Sequence, residues 1–436
     1  MTKEREVFHL HTKMSNLWKV SELRQKLLFT VLILLLFRLG CAIPVPFIQN
    51  DVISGIFNSG NLFSYMNMLS GGALSQCAVF ALGVSPYINA SIVVQLLTVV
   101  FPRLERMRKD DNEKYQMVMR YTSAGFALIM AIGYYAMLRM YGAVTFSGGF
   151  SGVFAALVII VAFTAGAQVC VWLGWQIDDF GLGNGVSFLI FAGIISRWVN
   201  VVSLAQVFVL FIKERSILRA IVLGLVPILA ILGIYLVVKA TDAEKRVPVQ
   251  YSRTVNGRST AGGNHSYIPV KVIMSGVMPI IFAGTMMSIP ATIGSFISAD
   301  WNEGFRNALL GFNSSNWLYC IIYIVLIFAF NYFYIDIQFD AVQIASNLRN
   351  NGGTVPGIRP GPATTEYLMK TANSVAFLGA LILAIIAAAP IVLGNLTGLP
   401  IQLGGTSLLI VCGVALETVA AMDSFVTARY HKGFLG

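Results

Sequence analysis

The 436-residue chain is too apolar and too sparsely charged for a soluble globular protein. Hydrophobic residues make up 56% of it, charged residues 11%, and the mean hydropathy is +0.74, whereas soluble domains carry roughly 25% charged residues. The net charge is +10, from 30 Lys and Arg against 20 Asp and Glu, and in a membrane protein such an excess usually sets orientation. The composition excludes a soluble enzyme and predicts a polytopic membrane protein.

Ten apolar blocks follow one another along the chain, each of a size that suits a membrane-crossing helix of about 20 residues. The predicted spans are 27–43, 78–100, 121–141, 153–175, 185–212, 217–238, 272–297, 317–335, 375–396 and 406–426. An even number of crossings puts both termini on the same side. Because 23 of the 30 Lys and Arg fall on that side, the positive-inside rule predicts cytoplasmic termini.

A shorter apolar stretch, residues 61–74, lies between the first two spans and ends at Ser70-Gly71-Gly72. It is too short to cross the bilayer, so it is either a helix that re-enters from the outer face or a helix that lies on the outer leaflet. Backbone that stops partway across a membrane is tolerated only inside protein or beside water. The first alternative therefore predicts a central cavity that opens outward.

Two cytoplasmic loops differ from the short connections elsewhere. In loop 239–271, VPVQYSRTV alternates apolar and polar residues before Asn256-Gly257, which predicts a basic β-hairpin. Loop 336–371 contains NGGTVPGIRPGP, whose glycines and prolines predict a tight, non-helical path with Arg359 at its tip. A docking tip and an ordinary solvated loop are both compatible with this second pattern.

The predicted spans lack the residue combinations that usually support catalysis or metal binding. All four histidines lie outside them, and the five cysteines form no CxxC pair. The sequence GFSG at 149–152 has the form of a serine-protease nucleophile, but no histidine in a span could activate the serine. We therefore predict a protein that is not an enzyme, with no catalytic residues, no metal and no cofactor.

Small and helix-breaking residues occur inside two spans, Gly83 with Pro86 in the second and Gly276 with Pro279 and Pro290 in the seventh. Proline permits a membrane helix to bend, so such helices can line a path that opens and shuts. An ion-coupled secondary transporter and a channel both use broken helices. The scarcity of midplane carboxylates and the two large basic loops favour the channel.

Seven stretches, spread from the first span to the last and covering well over a quarter of the chain, resemble the SecY family of bacterial general protein translocase channels. They are FRLGCAIPVPFI, MNMLSGGALSQCAVFALGVSPYINASIVVQLLT, FGLGNGVSFLIFAGI, KRVPVQY, YIPVKVIMSGVMPIIFA, NNGGTVPGIRPGPATTEYL and GGTSLLIVCGVALET. The resemblance implies an all-α polytopic fold in which ten transmembrane helices form two pseudo-symmetric five-helix halves around a pore, with a side gate to lipid. The expected segments are a cytoplasmic segment 1–26, the halves 27–212 and 213–426, and a cytoplasmic tail 427–436.

The resemblance also implies three sets of site residues. The pore constriction corresponds to a ring of apolar side chains: Val84, Ile88, Val186, Ile190, Met278, Ile281 and Ile410. The re-entrant stretch 61–74 corresponds to a plug that fills the outer funnel of an idle channel, including Asn61, Leu62, Met66, Met68, Leu69, Gly71 and Gly72. Docking of a cytosolic partner corresponds to Arg246, Arg253 and Arg258 in the hairpin and to Arg359 in the second loop.

The function that the resemblance implies is conduction of unfolded secretory polypeptides across the cytoplasmic membrane and lateral release of transmembrane segments into lipid. Expected partners are the SecA motor ATPase, the ribosome, SecE-like and SecG-like small membrane subunits, and signal peptides. An accessory translocase channel dedicated to few substrates is an alternative within the same class. The residues alone leave the ion-coupled transporter as the alternative from another class.

Overall fold

The computed structural model describes most of the chain and divides it into two compact units. The described residues are 21–49, 67, 70–146, 148–201, 217–251, 255–256, 259–260, 265–296, 303–310, 316–397 and 405–432. Unit 1 comprises Met1–Leu210, Ser288–Asn313 and Val414–Gly436, and unit 2 comprises Phe211–Met287 and Ser314–Gly413.

Helices dominate the described residues. In chain order they are α1 (Ser21–Gly40), α2 (Ser85–Val100), α3 (Pro102–Asp110), α4 (Asn112–Met140), α5 (Gly149–Phe180), α6 (Gly185–Val201), α7 (Ile217–Asp242), α8 (Met278–Phe296), α9 (Glu303–Leu310), α10 (Trp317–Gln338), α11 (Ala341–Asn350), α12 (Pro362–Thr397) and α13 (Gly405–Lys432). Side-chain caps start four of the described helices, because an acceptor oxygen of the preceding residue bonds a backbone N–H of the first turn; the capping residues are Asp111 for α4, Asn184 for α6, Asn316 for α10 and Asp340 for α11.

Four helical stretches among the described residues are long and apolar enough to cross a membrane: Asn112–Met140, Gly149–Phe180, Trp317–Asn350 and Pro362–Val392. The pair α2 and α3 meets the same criteria together, but the chain bends by 109° between them. These features agree with a polytopic helical membrane protein. The count of ten crossings stays a prediction.

Helices α2 and α8 begin later than the predicted second and seventh spans, at Ser85 and Met278. Pro86 and Pro279 lie in the first turns of these helices, where proline fits because the N–H that it lacks would have no partner within the helix. The prediction that these two prolines bend a helix interior was therefore wrong. Pro290, by contrast, lies inside α8.

The chain enters α2 and α8 through the same local arrangement. The sequences are GVSPYI at 83–88 and GVMPII at 276–281. The leading glycines have φ values of +52° and +59°, a left-handed conformation that glycine adopts without steric cost. Each unit therefore turns into one of its helices with the same backbone device.

The backbone just before each turn is also held alike. The Val79 N–H donates to the Ile43 carbonyl at 2.9 Å in unit 1, and the Val272 N–H donates to the Ala243 carbonyl at 2.9 Å in unit 2. Each valine carbonyl also packs against a glycine of a neighbouring helix: Val79 against Gly166 on α5, and Val272 against Gly379 on α12. The approach is so close that a Cβ on either glycine would overlap the carbonyl oxygen. The two units are thus built on a repeated plan.

The two predicted cytoplasmic loops combine into one sheet in unit 2. Strand β1 (Glu244–Tyr251) pairs antiparallel with β4 (His265–Lys271), with Val247 opposite Ile268, and also with the two-residue strand β5 (Gly353–Thr354). A further pair, β2 (Val255–Asn256) and β3 (Ser259–Thr260), extends the hairpin. The predicted hairpin is confirmed, although Asn256 pairs with Ser259 instead of forming the turn.

A buried apolar cluster fastens this sheet to the helices of unit 2. Val247 and Val249, which are each 1% exposed, point from β1 into a cluster that includes residues of α10, α11 and α12. Their neighbours along β1 are exposed, so the strand has one buried face and one solvent face. The hairpin consequently rests on a packed base and is not an isolated loop.

Unit 1 contains a reduced version of the same pairing. Isolated antiparallel bridges join Pro44 with Ala78 and Ile48 with Val144. Ala78 directly precedes Val79, just as Lys271, which pairs with Glu244, directly precedes Val272. The repeated plan therefore includes a central extended segment with a partner on each side.

Candidate functional sites

The seven predicted ring residues occupy one kind of position in the fold. Each lies within the first two turns of a helix or at its N-cap, on α2, α6, α8 and α13. Four of them, Val84, Ile88, Val186 and Ile190, belong to unit 1, and the other three belong to unit 2. The predicted ring residues therefore lie at the beginnings of two helices in each unit.

These side chains are withdrawn from solvent in the structure. Six of the seven are at most 8% exposed, and Met278 is partly buried: Val84, Ile88, Val186, Ile190, Ile281 and Ile410 make up the six. Val84 and Ile88 are one helical turn apart, and the Ile88 N–H donates to the Val84 carbonyl at 3.1 Å. Val186 and Ile190 have the same four-residue spacing, so each pair lies on one helix face.

The start of α6 is fixed by polar groups of the preceding turn. The Gly185 N–H donates to Asp178 at 2.7 Å, and the Ser187 N–H donates to the side-chain oxygen of Asn184 at 3.0 Å. Gly174 on α5 lies so close that a Cβ on Gly185 would overlap its carbonyl oxygen. The two ring residues of α6 are therefore carried by a helix end with little freedom to shift.

The C-terminal base of the predicted plug lies among helices of unit 1. Asn67 is 1% exposed, its side-chain oxygen accepts from the Ser75 N–H at 3.0 Å, and its carbonyl accepts from the Gly72 N–H at 2.8 Å. The Tyr134 hydroxyl on α4 donates to the Leu74 carbonyl at 2.6 Å. The remaining plug residues, Asn61, Leu62, Met66, Met68 and Leu69, lie outside the described residues.

Sequence reasoning missed two residues that contact this base. Arg38 Nη1 on α1 donates to the Gly71 carbonyl at 3.2 Å, and Ser196 Oγ on α6 lies 3.4 Å from the same oxygen, its closer acceptor being the Gly193 carbonyl at 2.8 Å. The one available signal was that Arg38 is among the few cations predicted on the outer side. Ser196 gave no signal, because only the fold brings α6 to residue 71.

Arg246 is held on the exposed face of β1. Its Nε lies 2.8 Å from a Glu244 carboxylate oxygen, and its guanidinium carbon lies 4.7 Å from the centre of the Tyr267 ring on β4. The hydrogen bond to Glu244 raises the pKa of Arg246 above its ordinary value. The arginine is thus charged, and its guanidinium lies over an aromatic ring.

Arg359 is exposed on the turn that follows β5. The Thr364 hydroxyl donates to the Arg359 carbonyl at 2.9 Å, and the glycines on either side, Gly357 and Gly361, have φ values of +81° and +110°. The predicted non-helical path around Arg359 is confirmed. Arg246 and Arg359 belong to the same unit and the same sheet region, whereas Arg253 and Arg258 lie outside the described residues.

Comparisons with known proteins assign the chain to a family. The SecY family model matches residues 78–419. A protein translocase subunit SecY from Thermotoga maritima is 37% identical over 437 residues, covering 96% of each chain.

Two solved structures share the fold. One is of a SecY protein whose plug domain stabilises the closed state of the translocation channel and maintains a membrane seal, with a TM-score of 0.62 at 17% identity. The other is Sec61 in a canine ribosome-channel complex, with a TM-score of 0.61 at 16% identity, and each comparison covers 92% of both chains.

An ion-coupled transporter finds no support in these comparisons. The chain belongs to the SecY family and is a protein-translocating channel subunit of a membrane.

Proposed function

We propose that this chain passes unfolded secretory polypeptides across the cytoplasmic membrane through a constriction formed by the seven apolar ring residues. The observation that carries the proposal is their common position at the starts of α2, α6, α8 and α13. A helix start is fixed by caps and turns, as at Gly185, while its side chains can still change rotamer. The backbone can therefore stay in place while the apolar side chains part around a passenger.

The chemistry of such a ring suits substrates of any sequence. A narrow apolar constriction excludes water and ions by dewetting, and it forms no directional bonds that would retain a particular passenger. A hydrophobic segment can instead leave sideways for lipid, since each Leu or Ile favours the bilayer by about 0.3 to 0.6 kcal/mol and each central Lys or Arg opposes it by about 2.5 to 3.5. One channel would then serve both secretion and membrane insertion, with no catalytic step of its own.

We further propose that residues 61–74 form a plug for the idle channel. The contacts of Gly71 with α1 and α6 and of Leu74 with α4 support this role, because a seal needs one fixed end about which the rest can move. The solved SecY structure whose plug domain maintains a membrane seal is a relative in fold that supports the same proposal.

The sheet of β4, β1 and β5 is the proposed docking platform for the motor ATPase or the ribosome. Arg246 and Arg359 present planar guanidinium groups that can pair with carboxylates or phosphates, and the buried cluster under β1 provides a firm base. The similarity in fold to a ribosome-bound Sec61 supports this assignment. The proposal places this platform and both termini in the cytosol, with SecE-like and SecG-like subunits beside the halves 27–212 and 213–426.

Crosslinking to a passenger tests the ring directly. In a variant without its five native cysteines, single cysteines replace Ile88, Ile190 and Ile410, and the purified complex receives a polypeptide stalled by a folded C-terminal domain. All three positions should crosslink to the passenger in the presence of the motor and ATP.

Leu128 and Val161 provide matched controls, because they are apolar residues of α4 and α5 that are 46% and 55% exposed. Cysteines at these positions should not crosslink to the passenger. Equal crosslinking at the ring and control positions, or none at the ring, would contradict the proposed path.

A further inference from the structure

The carbonyl oxygen of Gly71 is a meeting point of two helices that are distant in sequence. Arg38 in the last turn of α1 donates to it at 3.2 Å, and Ser196 Oγ on α6 lies 3.4 Å from it while also lying 2.8 Å from the Gly193 carbonyl of its own helix. These donors lie 33 and 125 residues away along the chain. A single backbone acceptor in the base of the proposed plug is therefore tied to two separate helices.

Gly71 is closely packed against its neighbours. Its φ is +68°, and a Cβ built on it would lie 2.5 Å from Arg38 Nη1 and 2.9 Å from Gly193 Cα. Both distances are shorter than ordinary contacts, so only glycine brings the backbone this close to α6 and to the guanidinium. The left-handed conformation and the close contacts together require glycine at position 71.

Other bonds of the base differ in kind. Those of Asn67 to Ser75 and Gly72 lie within the segment itself, and the Tyr134 bond to Leu74 lies in a core where both residues are at most 6% exposed. Bonds within a segment move with it, and a bond in a packed core resists opening. Arg38 is only half-buried, so its bond to Gly71 can break without unpacking that core.

We infer that Arg38 and Ser196 are positioning residues that hold the base of the plug in its closed arrangement and release it when the channel opens. This inference rests on the proposed plug role of residues 61–74. Arg38 supplies the larger share, because a hydrogen bond from a charged donor is stronger than one from a neutral hydroxyl.

A purely structural role for Arg38 makes a different prediction. A cation in the last turn of a helix interacts favourably with the helix dipole, and its removal would then lower the thermal stability without affecting gating. Resting conductance and export of a reporter with a defective signal peptide respond to gating. These two readouts separate the roles.

The test compares Arg38→Gln, Ser196→Ala and Arg38→Lys in the purified complex and in cells. Loss of one charge-assisted bond should raise the resting ion conductance in planar bilayers about tenfold and should permit export of the defective reporter. Ser196→Ala should act in the same direction but less strongly, and Arg38→Lys should restore much of the seal. Arg139→Gln is the matched control, because Arg139 at the end of α4 is exposed and lies on the same predicted outer side.

A second variant keeps the arginine and displaces its partner. Gly71→Ala places a methyl group against the guanidinium and against Gly193, and it should leak as Arg38→Gln does. Deletion of residues 61–74 serves as the reference for a channel without a plug.

The possible results separate the role of Arg38 at Gly71 from the proposed plug role of residues 61–74. If the deletion leaks but Arg38→Gln and Gly71→Ala conduct like the parent, the role of Arg38 is refuted and the plug stands. If the deletion itself leaves the conductance unchanged, the plug is refuted and the role of Arg38 with it. If Arg38→Gln and Gly71→Ala both leak and export the reporter, while Arg139→Gln behaves like the parent, the role of Arg38 in holding the base of the plug is supported.

Discussion

Individual buried polar residues hold the backbone next to the proposed ring. In unit 2, Asn331 on α10 is 1% exposed, accepts from Ser275 Oγ at 2.7 Å and donates to the Ala376 carbonyl at 3.0 Å. Ser275 directly precedes the Gly276 turn that leads to Met278. In unit 1, the Tyr134 hydroxyl holds the irregular backbone at Leu74 in the same way, by donating to its carbonyl at 2.6 Å. Polar side chains inside an apolar chain thus fix irregular backbone where no regular ladder can satisfy it.

Asn331→Ala should destabilise the protein by about 1 to 3 kcal/mol, because it leaves the buried Ser275 hydroxyl without its partner and removes the bond to the Ala376 carbonyl. Thermal unfolding of the detergent-solubilised complex measures the effect. Ser275→Ala removes only one of the bonds and should cost less.

Asn347→Ala on α11 is a control for this experiment, since Asn347 is exposed and alanine favours helix. Equal melting temperatures for Asn331→Ala and Asn347→Ala would show that the buried bonds contribute nothing.

At the scale of elements, the sheet of β4, β1 and β5 shows what local patterns reveal. Alternation in VPVQYSRTV predicted β1, and the Gly/Pro composition predicted the turn around Arg359. The pairing of Gln250 and Tyr251 with Thr354 and Gly353 could not be read from either pattern, because a two-residue strand has no periodicity. The predicted loop 336–371 is also mostly helical, since α10 continues to Gln338, α11 follows, and α12 begins at Pro362.

Arg359→Glu should leave the fold intact and abolish motor-driven secretion. The side chain is exposed and the turn is held by the Thr364 bond to its carbonyl, so a reversed charge affects the docking surface without disturbing the backbone. Motor-dependent uptake of a secretory precursor into proteoliposomes is the measurement.

Arg349→Glu makes the same charge change in the last turn of α11 and should reduce uptake far less. Unimpaired uptake by Arg359→Glu would exclude Arg359 from docking.

At the scale of the whole molecule, the same local arrangement occurs once in each of the two units. Three features recur in unit 1 and unit 2: the Gly-Val-X-Pro-X-Ile helix entry, the bond from the valine four residues before that entry to Ile43 or Ala243, and the helix glycine packed on the carbonyl of the same valine. The central extended segments differ in elaboration: the segment with Pro44 and Ile48 makes only single bridges, whereas β1 belongs to a sheet. The two units thus share a local plan and differ in how far this extended segment is elaborated.

Gly166→Ala and Gly379→Ala should therefore have similar effects in the two units. Each added methyl overlaps a backbone carbonyl that cannot move without shifting a helix entry, and overpacking of this kind costs typically about 1 to 3 kcal/mol. Both variants should lower the melting temperature of the complex.

Gly125→Ala is the control, because no atom lies within 4 Å of a Cβ at Gly125 on α4 and alanine is the better helix former. A fall in melting temperature for only one of the two contact glycines would contradict the equivalence of the units.

The sequence by itself determined the class of molecule, the presence of long apolar helices, the hairpin, the turn around Arg359 and the family, while the count of ten spans stays a prediction. These depend on composition and on patterns within a few turns of chain, where side-chain periodicity and turn chemistry act locally. The tertiary structure alone decided that Pro86 and Pro279 start helices and that two loops share a sheet. It also brought Arg38 and Ser196 together at Gly71. Such contacts join residues tens or hundreds of positions apart, and their free energy comes from packing and hydrogen bonds that exist only once the helices have assembled.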